Sequence, residues 1–129
     1  MQSPVDPNPC ERLFALKIVT DSAADMPAAE LQAFGVVEAP LYIQFPDGEF
    51  NSAGISADDF YDRLRAMHPA IPTTAQPSSG EMAQIYQQLA ATDPQILSVH
   101  ISSGLSGAGQ AAQLGASQAH LDRQVAVWD

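Results

Sequence analysis

The sequence is poor in basic residues and in cysteine. Five Lys and Arg stand against 15 Asp and Glu in 129 residues, so the formal net charge is −10. Phosphate backbones and anionic lipid surfaces repel such a chain, and we expect no nucleic-acid partner. The lone Cys10 cannot form an intramolecular disulfide, and the first residues lack the basic start and the apolar stretch of a signal peptide. These absences predict a cytoplasmic protein.

Long apolar runs are also absent. No stretch approaches the roughly 20 apolar residues that cross a bilayer, so we expect no stable membrane insertion. The hydrophobic content of 46% suits one α/β domain with a substantial core. Prolines at positions 4, 7 and 9 disfavour a helix or a central strand in the first ten residues. We therefore predict a flexible leader over residues 1–12 and a single folded domain over residues 13–129.

Strand-like and helix-like segments alternate along the rest of the chain. The predicted strands are 13–20, 36–45, 95–101 and 125–128, with a hairpin turn at Asp47-Gly48. The predicted helices are 27–34, ended by Gly35, then 56–67, 78–93 and 107–120. Residues 69–77 form a proline-rich connector in which Ala75-Gln76 is held extended before Pro77. Strands that alternate with helices predict a parallel sheet and an α/β fold.

Residues 98–110 carry the densest chemical signal. The sequence SVHISSGLSGAGQ leads from an apolar strand into three hydroxyls and three glycines, just before a helix-like segment. Unpaired N–H groups at a helix N-terminus carry a partial positive charge and hold a small anion without a basic side chain. Glycine allows the anion to approach the backbone closely. This loop therefore predicts an anionic ligand.

Two further hydroxyl-rich segments are expected beside this loop. Asp21-Ser22 follows the first predicted strand, and Thr73-Thr74 lies in the connector before a helix. Ligands of parallel sheets bind beyond the carboxyl ends of the strands, so we expect the three segments to converge on one edge. The candidate donors are hydroxyl and backbone groups, with no Lys or Arg among them. Neutral donors of this kind suit a singly charged carboxylate better than a phosphodianion.

Three motifs of the chain resemble the DegV proteins, bacterial fatty-acid-binding proteins of the α/β class. Residues 17–27 (KIVTDSAADMP) are similar to their first strand and turn, residues 74–78 (TAQPS) to their Thr-Ser-Gln-Pro-Ser segment, and residues 100–107 (HISSGLSG) to their signature loop. The resemblance runs from about Lys17 to residue 129 and corresponds to the family's N-terminal domain, so we expect the second lobe to be absent from this chain. It implies a parallel-sheet α/β sandwich of Rossmann-like type.

The resemblance also implies a function and a set of site residues. Family members bind a long-chain fatty acid and present it to a separate fatty acid kinase, which makes an acyl phosphate for phospholipid synthesis. The carrier itself has no catalytic residues and uses no cofactor. Carried over by position, the carboxylate contacts fall on Thr74 and Ser103, with Ser102 and Ser106 beside them and Gly104 allowing close approach.

The chain departs from the family pattern at two places, one within the second motif and one directly after the third. Ala75 stands where Ser is usual, and Ala108-Gly109 stands where Thr-Tyr is common. The smaller residues are expected to loosen or reshape the site for the carboxylate. The absent lobe is expected to leave the acyl tail without one wall.

Two other functions stay open. A serine-dependent acyl or ester hydrolase would use Ser106, because residues 104–108 approach the Gly-x-Ser-x-Gly nucleophile turn. Ala108 replaces the last glycine of that pattern, and only His120 follows it to act as a base. The second is a truncated domain with no independent ligand binding. None of the three histidines has metal-ligand spacing, so we expect no metal.

Several residues in these segments have structural interpretations that we prefer. Asp21 is predicted to cap a helix through its own backbone neighbours. His100 lies inside a predicted strand and is interpreted as a buried packing histidine. Apolar positions at helical spacing are assigned to a core rather than to a ligand tunnel: Met82, Ile85, Tyr86 and Leu89.

Overall fold

The computed structural model of the chain describes residues 16–92 and 95–129. The predicted leader lies outside these residues, as do positions 13–15 of the first predicted strand. In the described part of the chain, no helix is long and apolar enough to cross a bilayer. Its strands are β1 (Leu16–Asp21), β2 (Val37–Ala39), β3 (Tyr42–Phe45), β4 (Gly48–Asn51), β5 (Thr73–Ala75), β6 (Gln95–Val99) and β7 (Val125–Trp128). Its α-helices are α1 (Ala28–Phe34), α2 (Ala57–Ala66), α3 (Ser79–Ala90) and α4 (Ala108–Gln118).

Four strands form a parallel sheet in the order β2-β1-β6-β7. β1 and β6 pair from Leu16 opposite Gln95 to Thr20 opposite Val99, so their carboxyl ends are level. The chain moves from β1 to β2 and from β6 to β7 in opposite directions across the sheet. The boundary between β1 and β6 is therefore the switch point at which open α/β sheets bind ligands. The predicted parallel α/β fold is confirmed.

One face of this sheet carries the core. Side chains alternate along β6, where Ile96 and Ser98 are buried and Val99 is exposed. The buried face packs against α3 and α4, and the predicted helix-core positions Met82 and Tyr86 are fully buried. The core cluster is Val19, Ala39, Met82, Tyr86, Ile96, Ala112, Ala116 and Val125, with Ile85 and Leu89 partly buried against it.

The other three strands form a small antiparallel sheet in the order β4-β3-β5. A hairpin joins β3 to β4 as predicted, with its turn at Pro46-Asp47, one residue before the predicted Asp47-Gly48. Gly48 begins β4 with a φ of +148°, a conformation that favours glycine. Phe45 packs edge-on against Phe50. The Arg63 guanidinium of α2 lies 4.6 Å from the centre of the Phe50 ring, so a cation–π contact seats α2 on this sheet.

Two segments differ from the predicted elements. The single strand predicted over 36–45 is two strands, β2 and β3, in different sheets. Pro40 lies between them and has no N–H with which to continue a ladder. The connector over 69–77 contains β5, whose residues Thr73–Ala75 pair with β3. That pairing depends on a strand about 30 residues earlier, so the local pattern of the connector did not predict it.

Candidate functional site

The carboxyl ends of β1 and β6 meet at a cleft. β1 ends at Asp21 and β6 at Val99, after which His100 and Ile101 leave the sheet. The cleft has a volume of about 260 Å³ and is bordered by the end of β1, the turn at residues 23–24 and residues 99–101. It lies at the switch point of the sheet, on the edge where the ligand-binding segments were predicted to converge. Within residues 16–92 and 95–129, no cluster of His, Cys, Asp and Glu could hold a metal ion.

Four buried polar side chains form a hydrogen-bonded network beside this cleft. Tyr86 Oη donates to Ser98 Oγ at 2.7 Å, and Ser98 Oγ lies 2.6 Å from His100 Nε2. His100 Nδ1 lies 3.0 Å from Asp21 Oδ2. Each of the four residues is at most 7% exposed. The network joins α3, β6 and the end of β1.

Asp21 accepts hydrogen bonds from three directions. Besides His100, its Oδ2 accepts from the Ile101 N–H at 3.0 Å, and its Oδ1 accepts from the Ala23 N–H at 3.0 Å. Burial raises the pKa of Asp21, but the hydrogen bonds from His100, Ile101 and Ala23 outweigh burial and leave the pKa below its usual value. Asp21 is therefore an ionised carboxylate at neutral pH that ties the residues after β6 to the end of β1.

The Asp21 carboxylate and the Tyr86 hydroxyl, at the two ends of the network, determine which group donates and which accepts in each hydrogen bond. Because Asp21 only accepts, His100 Nδ1 carries a proton and donates it. At the other end, Ser98 Oγ accepts from Tyr86, so the Ser98 hydroxyl donates its own proton to His100 Nε2. Burial raises the pKa of Tyr86 to about 12, with the bond to Ser98 acting in the opposite direction, so the phenol keeps its proton. Every donor in the network has an acceptor.

The loop after Ile101 is turned by its own serines. The Ser102 carbonyl accepts from the Ser106 N–H at 3.1 Å, and Ser102 Oγ accepts from the Gly104 N–H at 3.2 Å. Ser106 Oγ accepts from the N–H that begins α4, at 3.2 Å. Ser103 is exposed, and its hydroxyl makes no hydrogen bond to any described residue. The Ser103 hydroxyl is therefore free, whereas the hydroxyls of Ser102 and Ser106 accept hydrogen bonds from the loop's own backbone.

The connector before α3 lies against this loop. A Cβ atom placed on Gly107 would be 3.0 Å from the side-chain nitrogen of Gln76, so Gln76 contacts the end of the loop. Thr74 lies two residues earlier in β5 and is exposed, and none of the described residues bonds its hydroxyl. The hydroxyl of Thr73 is on the other face of the strand and donates to Gln44 at 2.7 Å. The structure thus brings the connector to the loop.

The third predicted segment, Asp21-Ser22, has structural partners. Asp21 caps the short turn after β1 through Ala23, as predicted. Ser22 Oγ accepts from the Leu41 N–H at 2.8 Å and lies 2.6 Å from Ser52 Oγ. Leu41 precedes β3 and Ser52 follows β4, so Ser22 fastens the small sheet to the parallel sheet.

Sequence reasoning did not identify Ser98 and Tyr86 as hydrogen-bond partners in the network beside the cleft. The interpretation of His100 as a buried, satisfied histidine is confirmed. Ser98 lies two residues before His100 in an otherwise apolar strand, a spacing that puts both side chains on one face. That polar pair was the available signal. Tyr86 is in the helix core as predicted, but no local pattern linked its hydroxyl to β6.

The geometry does not support a serine hydrolase. Ser106 precedes α4 and His120 follows it, so a helix of 11 residues, about 16 Å long, separates them. Ser98, His100 and Asp21 are connected in the order of a Ser-His-Asp triad. Ser98, however, has no exposed surface, and its oxygen already accepts a hydrogen bond. A substrate cannot reach this serine in the described fold.

Known proteins are similar to this chain in sequence. The model for the DegV family, described as uncharacterised proteins, matches residues 15–129. A DegV domain-containing protein of Deinococcus radiodurans is 41% identical over 106 residues, which are 81% of this chain and 37% of that protein. A DegV domain-containing 15.5 kDa protein of Staphylococcus aureus is 35% identical over 91 residues, 70% of this chain and 64% of that protein. The chain spans well under half the length of the Deinococcus relative.

Solved structures share its fold. A fatty-acid-binding DegV family protein from Thermus thermophilus has a TM-score of 0.79 and 32% identity, over 88% of this chain and 40% of that one. The Streptococcus pneumoniae fatty acid kinase (Fak) B3 protein, solved with linoleic acid, has a TM-score of 0.68 and 26% identity, over 88% and 41%. Family match, sequence identity and fold agree, and this chain belongs to the DegV family.

Proposed function

We propose that this chain binds a long-chain fatty acid and holds its carboxylate with neutral donors. The proposed contacts are Thr74 and Ser103, with Ser102 and Ser106 beside them and Gly104 allowing close approach. The observation that carries the proposal is the pair of exposed hydroxyls, Thr74 and Ser103, which lack hydrogen-bond partners among the described residues. They belong to a connector and a loop that come together at Gln76 and Gly107. The similar Thermus thermophilus protein, which binds a fatty acid, supports this ligand class.

The distribution of charge favours a carboxylate over a phosphate. Of the described basic residues, Lys17 lies in the first half of β1 and Arg123 just before β7, away from the carboxyl ends of these strands. Arg63 and Arg65 lie on α2, and both pair with aspartates. Within the described chain, none of these cations makes a hydrogen bond or an ion pair to residues 102–107, so none compensates a doubly charged group there. A singly charged carboxylate is satisfied by a few hydroxyl and backbone donors.

The acyl tail is expected to supply most of the affinity. A hydrogen bond to a charged acceptor contributes about 1.5–3 kcal/mol, whereas each buried methylene contributes about 0.8 kcal/mol. A long tail holds many methylenes, so their sum exceeds that of the few bonds to the carboxylate. The hydroxyls orient the acid and select a carboxylate, and the tail determines how tightly it binds.

We also propose that the bound acid is presented to a separate fatty acid kinase, which phosphorylates the carboxylate to an acyl phosphate. The similarity to the Fak B3 protein supports this partner. A kinase must reach the carboxylate, and the proposed contacts Thr74, Ser102 and Ser103 are all exposed. In this scheme the chain is a carrier, and phosphoryl transfer is the work of the kinase.

Removal of single hydroxyls tests the proposed carboxylate contacts. Titration of the chain with oleate, followed by native mass spectrometry, measures the dissociation constant. We expect Thr74→Val and Ser103→Ala each to raise that constant by about tenfold to a hundredfold, because each removes a hydrogen bond to a charged group. Both side chains are exposed, so the free energy of unfolding should stay unchanged.

Thr73→Val is the matched control for these variants. Thr73 is also a β5 threonine, but its hydroxyl is bound to Gln44 on the opposite face, so the oleate affinity should equal that of the wild type. Equal affinity in Thr74→Val, Ser103→Ala and the wild type would refute the contacts. Failure of the wild-type chain to bind oleate would favour a domain without independent ligand binding, and turnover of an acyl ester would favour the hydrolase.

A further inference from the structure

We propose that Asp21 and His100 are positioning residues for the loop of residues 102–107, holding Ile101 so that Ser102 and Ser103 present their hydroxyls to the ligand carboxylate. This role rests on the proposed function, because the loop is the proposed carboxylate site. Asp21 and His100 act on the loop through the backbone of Ile101 and not by contact with the ligand.

His100 and Ile101 form the link between β6 and the loop, and hydrogen bonds to β7, Ser98 and Asp21 hold this link in place. The His100 N–H donates to the Trp128 carbonyl of β7 at 2.9 Å. The His100 ring lies between Asp21 and Ser98 and is hydrogen-bonded to both. The Ile101 N–H donates to Asp21 Oδ2 at 3.0 Å. Both backbone donors of the link are therefore engaged, one by the neighbouring strand and one by the buried carboxylate.

The loop depends on this link because its turn begins directly after it. Ser102 follows Ile101, and its carbonyl accepts from the N–H groups of Leu105 at 2.8 Å and Ser106 at 3.1 Å. The turn is built on Ser102, so a shift of Ile101 is transmitted to Ser103 as well. The bond from Ile101 to Asp21 is the contact that ties this backbone to β1.

Only a carboxylate satisfies the donors around position 21. Oδ2 receives His100 and Ile101, and Oδ1 receives Ala23. An asparagine has one oxygen and one NH₂ group, and in either orientation the NH₂ faces an N–H donor. Asp21→Asn therefore leaves at least one of these N–H donors facing an NH₂ group while keeping the size of the side chain. Where the amide oxygen faces His100 and Ile101, both bonds lose the charge of their acceptor, and where the NH₂ faces them, both bonds are lost. The variant therefore loosens the link without opening a cavity.

The far end of the network offers a matched control. The Tyr86 hydroxyl donates to Ser98 from α3, and Tyr86→Phe removes that bond while leaving the bonds of Asp21 in place. If the network only stabilises the fold, Asp21→Asn and Tyr86→Phe act alike, through global stability. If Asp21 positions the loop, only Asp21→Asn alters the loop beyond its effect on stability.

Amide hydrogen exchange of the 129-residue chain, measured by NMR, separates these possibilities. We expect Asp21→Asn to speed exchange at residues 101–107 by about tenfold or more relative to the amides of β6. Tyr86→Phe should speed loop and β6 in equal proportion. The oleate dissociation constant should rise in Asp21→Asn and stay at the wild-type value in Tyr86→Phe. His100→Gln keeps the bonds of Asp21 to Ile101 and Ala23, so it should show the same loop-specific effect at smaller size, and it replaces Asp21→Asn should that variant not fold.

Two results would overturn the positioning role. One is an equal proportional change of exchange at the loop and at β6 in the Asp21 and His100 variants. The other is a loop-specific change of exchange with the oleate affinity unaltered. Exchange requires no ligand, so a wild-type chain that fails to bind oleate would refute the proposed function, while the exchange data would still decide whether Asp21 holds the loop.

Discussion

A single buried carboxylate organises the candidate site at the scale of residues. Asp21 accepts from His100, Ile101 and Ala23, so one side chain joins β1, the turn after it and the loop after β6. Loss of such an acceptor leaves buried donors unpaired, which costs more than the net value of the bonds themselves. The hydroxyl of Ser103, by contrast, is exposed and can be removed without harm to the fold.

The pH dependence of unfolding should reveal this carboxylate. The pKa of Asp21 in the folded chain lies below its usual value, so its stabilisation is complete above the unfolded-state pKa, about 3.9, and is lost as pH falls toward the folded-state pKa. Urea unfolding of the wild type and Asp21→Asn should therefore give a stability difference that is large at neutral pH and shrinks below about pH 4.

A stability difference that stays constant down to low pH would contradict this prediction. The comparison between the two proteins is the diagnostic, because other carboxylates also titrate in this range. Glu38 titrates with the opposite sign, since burial and the charges of Asp21 and Asp25 raise its pKa. Its protonated form is the one favoured by folding, so it adds stability at low pH that is lost as pH rises.

At the scale of elements, local sequence signals set where the helices end, and the sizes of the facing side chains set how closely the helices pack. The capping box of Ser78 and Glu81 begins α3 as predicted, and Gly35, with a φ of +63°, ends α1 as predicted. These interactions join residues within one turn. The approach of α4 to α3 depends on small residues instead, above all on Gly115, which lies against the backbone of α3.

Gly115→Ala should destabilise the chain through this helix contact. A Cβ at position 115 would be 2.6 Å from Met82 Cβ and 2.9 Å from the backbone nitrogen of Ala83, so the helices must separate, at a cost of about 1–3 kcal/mol. Gly80→Ala is the control, because its Cβ would be 3.8 Å from Ser78 Oγ and the helix gains up to about 1 kcal/mol. Urea unfolding measures both. Equal free energies of unfolding for Gly115→Ala and the wild type would contradict this prediction, because they would show that α3 and α4 can accommodate the added Cβ.

At the scale of the whole molecule, the chain combines two sheets with an excess of negative charge. Ser22 fastens the small sheet to the parallel sheet, and the parallel sheet exposes apolar side chains on its second face, such as Val99 at 36% and Trp128 at 70%. The net charge of −10 acts against compaction, because like charges repel one another more strongly in the folded chain than in the expanded one.

The melting temperature should therefore rise when NaCl is raised from low concentration to about 0.15 M, where charges are screened beyond about 8 Å. Exposed ion pairs such as Arg65 with Asp62 are weakened by salt but contribute little. Arg65→Gln makes the chain one unit more negative and should steepen the increase. Differential scanning calorimetry tests this, and a melting temperature that falls with salt would show that the ion pairs outweigh the repulsion.

Local patterns predicted the elements better than they predicted the pairings. β7 lies where its apolar run indicated, and the hairpin turn lies at Pro46-Asp47, one residue before the predicted Asp47-Gly48. The strand predicted over 36–45 was wrong, because Pro40 divides it and the two halves join different sheets. For the candidate site, motifs along the chain indicated Thr74 and Ser103, and their roles stay predictions. The support behind the loop could not be predicted, because it joins side chains from three elements.

The order of residues along the chain was enough to predict the alternation of strands and helices, the helix ends, the acidic charge and the hydroxyl-rich loop. Each of these depends on residue type or on neighbours within a few positions along the chain. The tertiary structure alone decided that Asp21 meets Ile101, 80 residues later, and that Tyr86 reaches Ser98. Periodicity encodes which face of an element is buried but not which distant element covers it, and burial of the shared core brings those partners together.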